Sequence, residues 1–286
     1  MTRRTLLMLL RVATTAALAA TAYPLVLTSS RAEEARAAQL VNEARALSAK
    51  GQPVAAEAKL EDAIGLVPDS PKAHREKGMA LLTAGRSDVG AAELRYAAEG
   101  DPDDPGAAWE YAFALSATSQ YEKAATWFKR VTVLEPNNGA AYAMLATSEL
   151  QLGHREEARP YAERGARCSP RVPLTQFTLG IVRWQMGDRE GGRTALEEAF
   201  RLQPSDPKTL LALLTFSREL NRPDLAEGYL HRALATAPNN ATYWLALGQA
   251  QLAQKKLPAA AEAFRHALQL DPTNAPAQEG LKAAGR

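Results

Sequence analysis

The sequence predicts an all-α fold, a solenoid of about seven helix-turn-helix repeats with a short helix that caps its C-terminal end. The first observation is a proline that returns every 34 residues, at Pro68, Pro102, Pro136, Pro170, Pro204, Pro238 and Pro272. The second is a residue able to cap a helix, which stands two positions after six of these seven prolines. The third is a glycine or asparagine at a fixed place in most repeats, where a helix must end. A fixed period between about 20 and 50 residues is typical of stacked supersecondary units, so one continuous array is predicted.

In each repeat the first helix, helix A, begins directly after the capping residue. When the framing proline is counted as position 32, position 34 carries Ser, Asp or Asn in six repeats. These side chains accept hydrogen bonds from the free N–H groups of a helix start. The next residue is proline in four repeats, which suits a first helical position because its φ is fixed. The predicted repeats span 37–70, 71–104, 105–138, 139–172, 173–206, 207–240 and 241–274, and residues 275–286 form the predicted capping helix.

Helix A is predicted to end at position 15 of the repeat. Five repeats place there Gly51, Gly85, Gly153, Gly187 or Asn221. Both residue types tolerate the left-handed conformation that ends a helix. A second helix, helix B, then runs to the next framing proline. At the start of the array, Ser30 and Glu33 fit a capping box, which predicts that the first helix begins there.

Positions 8, 20 and 27 of the repeat are small in nearly every copy. Small side chains let two helix axes approach toward the lower end of the range of about 8–10 Å. Larger residues at position 24 are predicted to fill the space between neighbouring repeats. The departures from the repeat are Leu214 at position 8 of repeat six, Ala162 at position 24 of repeat four, and Pro160 and Gly165 within helix B of repeat four. We therefore expect repeats four to six to pack less regularly than repeat seven.

This pattern resembles the tetratricopeptide repeat family over residues 37–274, and residues 241–274 match its consensus best. The matching residues there are Trp244, Leu247, Gly248, Ala260, Phe264, Ala267 and Pro272. The resemblance implies a right-handed superhelical solenoid in which the A helices line a concave groove, chiefly through positions 2, 5, 9 and 12. It also implies that the groove binds a protein or peptide partner.

At the groove positions this sequence is apolar and aromatic, with a basic edge. The candidate partner-binding residues are Lys72, Arg75, Trp109, Phe113, Leu150, Leu174, Phe177, Ile181 and Trp184. Aromatic side chains supply large contact areas at interfaces, and such a groove suits an extended or helical peptide. About half of these side chains are expected to be buried between repeats. Phe177 and Trp184 are the expected exposed anchors.

The N-terminal 30 residues differ in kind from the array. They contain Arg3, Arg4 and Arg11 and then an uncharged run over 12–30, which predicts either a retained membrane anchor or a signal peptide cleaved after Ala22. The basic end should stay in the cytoplasm and the repeats should reach the periplasm. The protein is then a single-pass inner-membrane protein, in contact with the membrane through residues 12–30, or a soluble periplasmic one. The TRRTLL start is a partial match to a twin-arginine signal, so the export route stays open.

Composition argues against several classes of function. The 34 basic and 32 acidic residues leave a net charge of +2, without the footprint that nucleic acid requires. The single Cys168 cannot form an intramolecular disulfide, so we interpret it as a small packing residue, with a disulfide between two molecules as the alternative. No phosphate-binding loop or nucleophile elbow is present, and no pair of histidines has metal-ligand spacing. The histidines fall in different repeats, at His74, His154, His231 and His266. The sequence therefore predicts no cofactor, no metal, no small-molecule substrate and no catalysis.

Together these observations favour a non-enzymatic scaffold that faces the periplasm of a bacterial-type envelope. Its predicted role is to bind a peptide or partner protein as an assembly factor, for a secretion, pilus, exopolysaccharide or cytochrome-maturation system. The alternative is a periplasmic chaperone that holds many clients. Partner number separates the two, because a scaffold should have few partners and a holdase many.

Overall fold

The computed structural model describes residues 31–285, and over this range it contains α-helices and short turns and no strand. The predicted signal or anchor segment, 1–30, and the predicted cap at Ser30 lie outside the described residues. Among the helices that are described, none is long and apolar enough to cross a membrane.

Helices of 13 and 14 residues alternate along the array. The first, α1, is helical over 31–49. The others are α2 (Pro53–Leu66), α3 (Pro71–Thr83), α4 (Ser87–Gly100), α5 (Pro105–Ala117), α6 (Tyr121–Leu134), α7 (Gly139–Gln151), α8 (Arg155–Cys168), α9 (Pro173–Gln185), α10 (Arg189–Leu202), α11 (Pro207–Glu219), α12 (Pro223–Thr236), α13 (Ala241–Ala253), α14 (Leu257–Leu270) and α15 (Ala275–Ala284). From α3 to α14, the odd-numbered helices are the A helices of the repeats and the even-numbered ones the B helices. The all-α fold of helix pairs, ending in a short helix, is confirmed.

The predicted caps form at all six positions that carry a capping side chain. Each accepts a hydrogen bond from a backbone N–H two or three residues further on, and they are Ser70, Asp104, Asn138, Asp206, Asn240 and Asn274. Val172 has no such group. There the Thr175 hydroxyl donates instead to the carbonyl oxygens of Ser169 and Val172, at 2.7 and 2.8 Å. The helix starts follow the sequence because each cap satisfies an N–H group that the helix leaves free.

Every repeat has a left-handed residue at position 15, including the two that the sequence did not mark. The four predicted glycines and Asn221 all have positive φ. Ser119 and Lys255 occupy the same place in repeats three and seven, with φ of 58° and 60°. The turn geometry is therefore common to all repeats, and two residues with a Cβ adopt it against their own preference.

The framing proline has a second role besides ending helix B. In four repeats its carbonyl oxygen accepts a hydrogen bond from the side chain at position 4 of the next helix A, six residues later. The pairs are His74 Nε2 with Pro68 at 2.9 Å, Gln176 Nε2 with Pro170 at 3.1 Å, Trp244 Nε1 with Pro238 at 2.7 Å and Gln278 Nε2 with Pro272 at 3.0 Å. This bond ties the end of one repeat to the start of the next.

Small residues at positions 8 and 20 bring the two helices of a repeat together, as predicted. A Cβ added to Gly180 would lie 3.0 Å from the Gly192 carbonyl oxygen, and one added to Gly78 would lie 2.9 Å from that of Gly90. No side chain fits at these crossings. The position 24 side chains are completely buried, as the sequence also predicted, and they are Leu60, Leu94, Phe128, Leu196, Leu230 and Phe264.

Two compact units divide the chain, and the division falls inside α6. The N-terminal unit ends at Trp127 and the C-terminal unit begins at Phe128. In the first, α1 to α3 share a core built around Leu40 and Leu60. In the second, successive clusters run from α7 to α15, and the last one packs Leu281 of α15 against the Phe264 cluster.

Packing in repeats four to six departs from the sequence-based expectation. Helices α7 and α8 pack as extensively as α13 and α14, and so do α9 and α10, whereas α11 and α12 pack less. The expectation was wrong for repeats four and five. In repeat four Gly165 provides a close approach, because a Cβ on Gly139 would lie 2.6 Å from the Gly165 carbonyl oxygen. The expectation is confirmed for repeat six, where Leu214 takes the place of a small residue.

Candidate partner-binding surface

The candidate groove residues are divided between the two compact units. Lys72, Arg75, Trp109 and Phe113 lie on α3 and α5 of the N-terminal unit. Leu150, Leu174, Phe177, Ile181 and Trp184 lie on α7 and α9 of the C-terminal unit. In each unit these residues occupy the same face of the A helices, called here the helix A face and defined by positions 2, 5, 9 and 12 of the repeat.

In the N-terminal unit one of the two cations of the basic edge, Arg75, is neutralised by carboxylates. The Arg75 guanidinium donates to both carboxylate oxygens of Glu110, at 2.7 and 2.8 Å, and to Asp104 at 2.9 Å. The hydrogen bonds from Arg75 to Glu110 outweigh partial burial and raise the pKa of the arginine. On the neighbouring helices, Arg45 pairs with Glu76. Arg75 thus links helix α3 to helix α5.

The remaining candidates of the N-terminal unit are more accessible. Lys72 is exposed and makes no ion pair with any residue that the structure describes. Phe113 has 49% of its surface exposed, and Trp109 is half-buried. On the helix A face of this unit, the exposed aromatic side chain is therefore Phe113 of α5.

In the C-terminal unit, Phe177 and Trp184 are not the exposed anchors that the sequence predicted. Both are half-buried and, like Ile181, they pack against a core cluster that contains Leu213 and Phe216 of α11. The Trp184 ring stacks on that of Phe216, with centroids 3.4 Å apart and planes 7° from parallel. The expectation of exposure was wrong because it ignored Phe216, whose ring meets Trp184 across the boundary between repeats five and six.

A pocket between α11 and α13 was missed by the sequence reasoning. It has a volume of about 350 Å³. Its apolar lining comes from Leu211, Leu214, Ala226, Leu230, Ala246, Ala250 and Ala253. Its polar lining comes from Thr215, Ser217, Arg218, Asn221, Arg222 and Gln249. Leu211, at position 5 of repeat six, has 66% of its surface exposed. Two signals in the sequence could have found it, the leucine at this groove position and the unusual Leu214 beside it.

Three of the four histidines lie within ion-pair distance of a carboxylate, and they are His74, His154 and His231. His74 lies between Glu93, at 2.5 Å from Nδ1, and the Pro68 carbonyl, while His154 hydrogen bonds with Glu149 at 2.9 Å. Within residues 31–285, no three His, Cys, Asp or Glu side chains are grouped so that they could hold a metal ion.

Comparison with known families agrees with the repeat geometry. Two family models described as tetratricopeptide repeat match this sequence, one over residues 41–105 and 218–275 and the other over 81–147. Together they cover more than half of the chain. The chain belongs to the tetratricopeptide repeat family. No curated protein gives a significant sequence match.

Solved structures of tetratricopeptide repeat proteins share this fold at low sequence identity. A tetratricopeptide repeat protein from Parabacteroides merdae ATCC 43184 is 15% identical, with a TM-score of 0.63 over 88% of this chain and 99% of that one. PilW, a type IV pilus biogenesis factor, is 16% identical, with a TM-score of 0.59 over 74% of this chain and 98% of that one.

A larger assembly also contains a similar array. The APC/C hetero-tetramer Cut9–Hcn1 is 18% identical, with a TM-score of 0.57 over 82% of this chain. The present tetratricopeptide repeat chain spans only 48% of the matched chain. Identities at this level show the fold, and arrays of this family are typically interaction scaffolds that bind proteins or peptides.

Proposed function

We propose that this tetratricopeptide repeat protein is a non-enzymatic scaffold that binds a peptide segment of a partner protein along its helix A face. The observation that carries the proposal is the apolar character of that face in the C-terminal unit, with an open pocket beside Leu211. Of the sixteen residues at positions 2, 5, 9 and 12 in α7, α9, α11 and α13, only Lys208 and Arg218 are charged. Apolar contact area of this kind favours the binding of a peptide more than that of a small polar molecule.

We further propose that the scaffold is exported and acts in the periplasm, as an assembly factor of an envelope system. The basic start and the uncharged run over 12–30 support export. The candidate systems are secretion, pilus, exopolysaccharide and cytochrome-maturation assemblies. The fold similarity to PilW makes a pilus-type assembly the first in which to look for the partner, by analogy only.

Photocrosslinking in living cells tests the scaffold. A photoreactive amino acid replaces Phe113 or Leu211 on the helix A face, and the control position is Val133, which is 72% exposed on the B helix α6. We expect one or two discrete adducts from Phe113 or Leu211 that are absent from Val133. A broad smear of many adducts would instead support the holdase. Equal adducts from all three positions would contradict a binding surface on the A helices.

The location is tested with a reporter fused to the C-terminus that is active only after export. Activity that is lost when the first 30 residues are deleted supports the periplasmic site of action. An inactive reporter, with the fusion intact in the cytoplasm, would remove export from the proposal and leave the binding surface unaffected.

A further inference from the structure

The pocket between α11 and α13 has an apolar lining and room for at least one large apolar side chain of a ligand. Its volume of about 350 Å³ is near the lower end of ligand pockets in proteins, which begin at about 300 Å³. The buried Leu230 and the half-buried Leu214 line it, together with Leu211, which has 66% of its surface exposed. A partner that covers a leucine this exposed removes apolar surface from water, which makes binding more favourable.

The charged side chains at the groove positions of this face in the C-terminal unit are all positive. Among positions 2, 5, 9 and 12 of α7, α9, α11 and α13, only Lys208 and Arg218 are charged, and both are cations. Lys208 is close to Asp206, the cap of α11. Burial raises the pKa of the Asp206 carboxyl, but hydrogen bonds from Thr209 and the charge of Lys208 lower it below its usual value. Arg218 lines the pocket, and no residue in the described part of the chain forms an ion pair with it.

The carboxylates near Arg218 do not neutralise it. Asp224 accepts two hydrogen bonds from Arg222, at 2.8 and 2.6 Å, so this acid already serves the other arginine of the pocket. Glu219 follows Arg218 in the sequence, but consecutive side chains of a helix point about 100° apart. Arg218 therefore offers a free guanidinium, a group that binds carboxylates in a fixed two-pronged geometry.

The distance between the leucine and the arginine sets the spacing of a ligand. Leu211 and Arg218 are seven residues apart on α11, which corresponds to about 10 Å along the helix axis. An extended peptide advances about 3.3 Å per residue. A peptide that contacts both residues thus spans about three residues between its two contact points.

We infer that this pocket binds an acidic peptide segment of the partner, whose large apolar side chain enters beside Leu211 while an Asp or Glu about three residues away pairs with Arg218. The inference rests on the proposed function and specifies the chemistry of its ligand. The occupant is a linear segment, because its apolar and acidic contact points lie about 10 Å apart along α11. It is acidic, because the only unpaired charge at the pocket is positive.

A random peptide library displayed on phage, selected on the full-length chain in detergent micelles, tests the inference. Affinities of an enriched peptide, synthesised with a fluorescent label, are then measured by anisotropy for the wild type, Leu211→Ser and Arg218→Glu. Arg265→Glu is the matched control, because Arg265 is an exposed arginine of α14 without an ion pair among residues 31–285. Far-ultraviolet circular dichroism of each variant confirms that it is folded.

We expect enriched peptides with Leu, Ile, Met or Phe and an acidic residue about three positions away. Leu211→Ser and Arg218→Glu should each weaken binding about tenfold, the loss expected when one good contact or one hydrogen bond to a charged group is removed. The control should bind like the wild type. A peptide with its acidic residue changed to Lys should bind Arg218→Glu better than it binds the wild type.

The contrary outcomes separate the inference from the proposed function. Enriched peptides that lack acidic residues, or that bind Arg218→Glu as well as the wild type, overturn the inference. If those peptides are lost with Phe113→Ser, the scaffold stands and its site lies on α5. A library that yields no binding peptide would count against peptide binding altogether.

Discussion

Replacing Trp184 by alanine is expected to lower the free energy of unfolding by about 2 kcal/mol. A fully buried aromatic residue replaced by alanine costs about 3–5 kcal/mol, and Trp184 is half-buried, so about half of that cost applies. Its stack on Phe216, with centroids 3.4 Å apart, is part of this loss. Arg189 lies 5.8 Å above the indole and contributes about 0.5 kcal/mol more through a cation–π contact. The change thus measures whether Trp184 belongs to the contact between repeats five and six.

Urea unfolding of the full chain, followed by far-ultraviolet circular dichroism, provides the measurement. Trp184→Phe keeps a ring against Phe216 and should lose less than half as much. Phe113→Ala, at a ring that is 49% exposed, should cost under about 1 kcal/mol. Repeat arrays can unfold in parts. The comparison therefore holds only if the free energy of unfolding of each variant falls with urea concentration at the same slope as that of the wild type. A loss no larger than that of Phe113→Ala would refute the packing role and restore Trp184 as an exposed anchor.

Four further substitutions test the array itself. Lys255→Gly should stabilise the protein by about 0.5–1 kcal/mol, because it removes left-handed strain. Gly85→Ala should cost about 1 kcal/mol, because it introduces that strain. Urea unfolding of the two variants would show a more stable protein for the first and a less stable one for the second. Ala260→Trp, at a fully buried crossing, should cost about 1–3 kcal/mol, and an unchanged thermal midpoint would contradict the repeat frame. Burial raises the pKa of Glu227, but hydrogen bonds from Lys256 and two glutamines outweigh it and lower the pKa below its usual value. The stabilisation by Glu227 should be complete above about pH 5 and disappear as the pH falls through the lowered pKa, so the difference in stability between wild type and Glu227→Gln should shrink in acid.

The helices could be predicted from the sequence because their boundaries depend on local chemistry. Caps such as Asp206 and turn residues such as Gly187 act within a few residues of themselves, and the repeat shows each of them several times. Ser119 and Lys255 were missed as turn residues because their side chains do not favour positive φ. There the neighbouring repeats impose the turn, since each helix pair must enter and leave the stack at the same angle.

The candidate site was less predictable because burial at an A helix depends on the next repeat. Position 12 holds Trp184 in repeat five, but whether its ring is exposed is decided by Phe216, which comes 32 residues later. Arg75 likewise depends on Glu110 of the following repeat. The position of a residue in the repeat predicts which face of the A helix it occupies. Ion pairs and ring stacks between repeats then decide which of these side chains remain accessible to a partner.

The pocket and the loose packing of repeat six have the same physical origin. In repeat five, Gly180 lies so close to Gly192 that no Cβ fits, and the two helices pack along their length. Repeat six carries Leu214 at this position, and its side chain cannot occupy the same gap. Helices α11 and α12 therefore pack less extensively, and Leu214 lines the apolar surface that opens toward α13. A residue that weakens the packing of its own repeat in this way is expected where function requires it, so the departure from the repeat consensus and the candidate site fall at the same place.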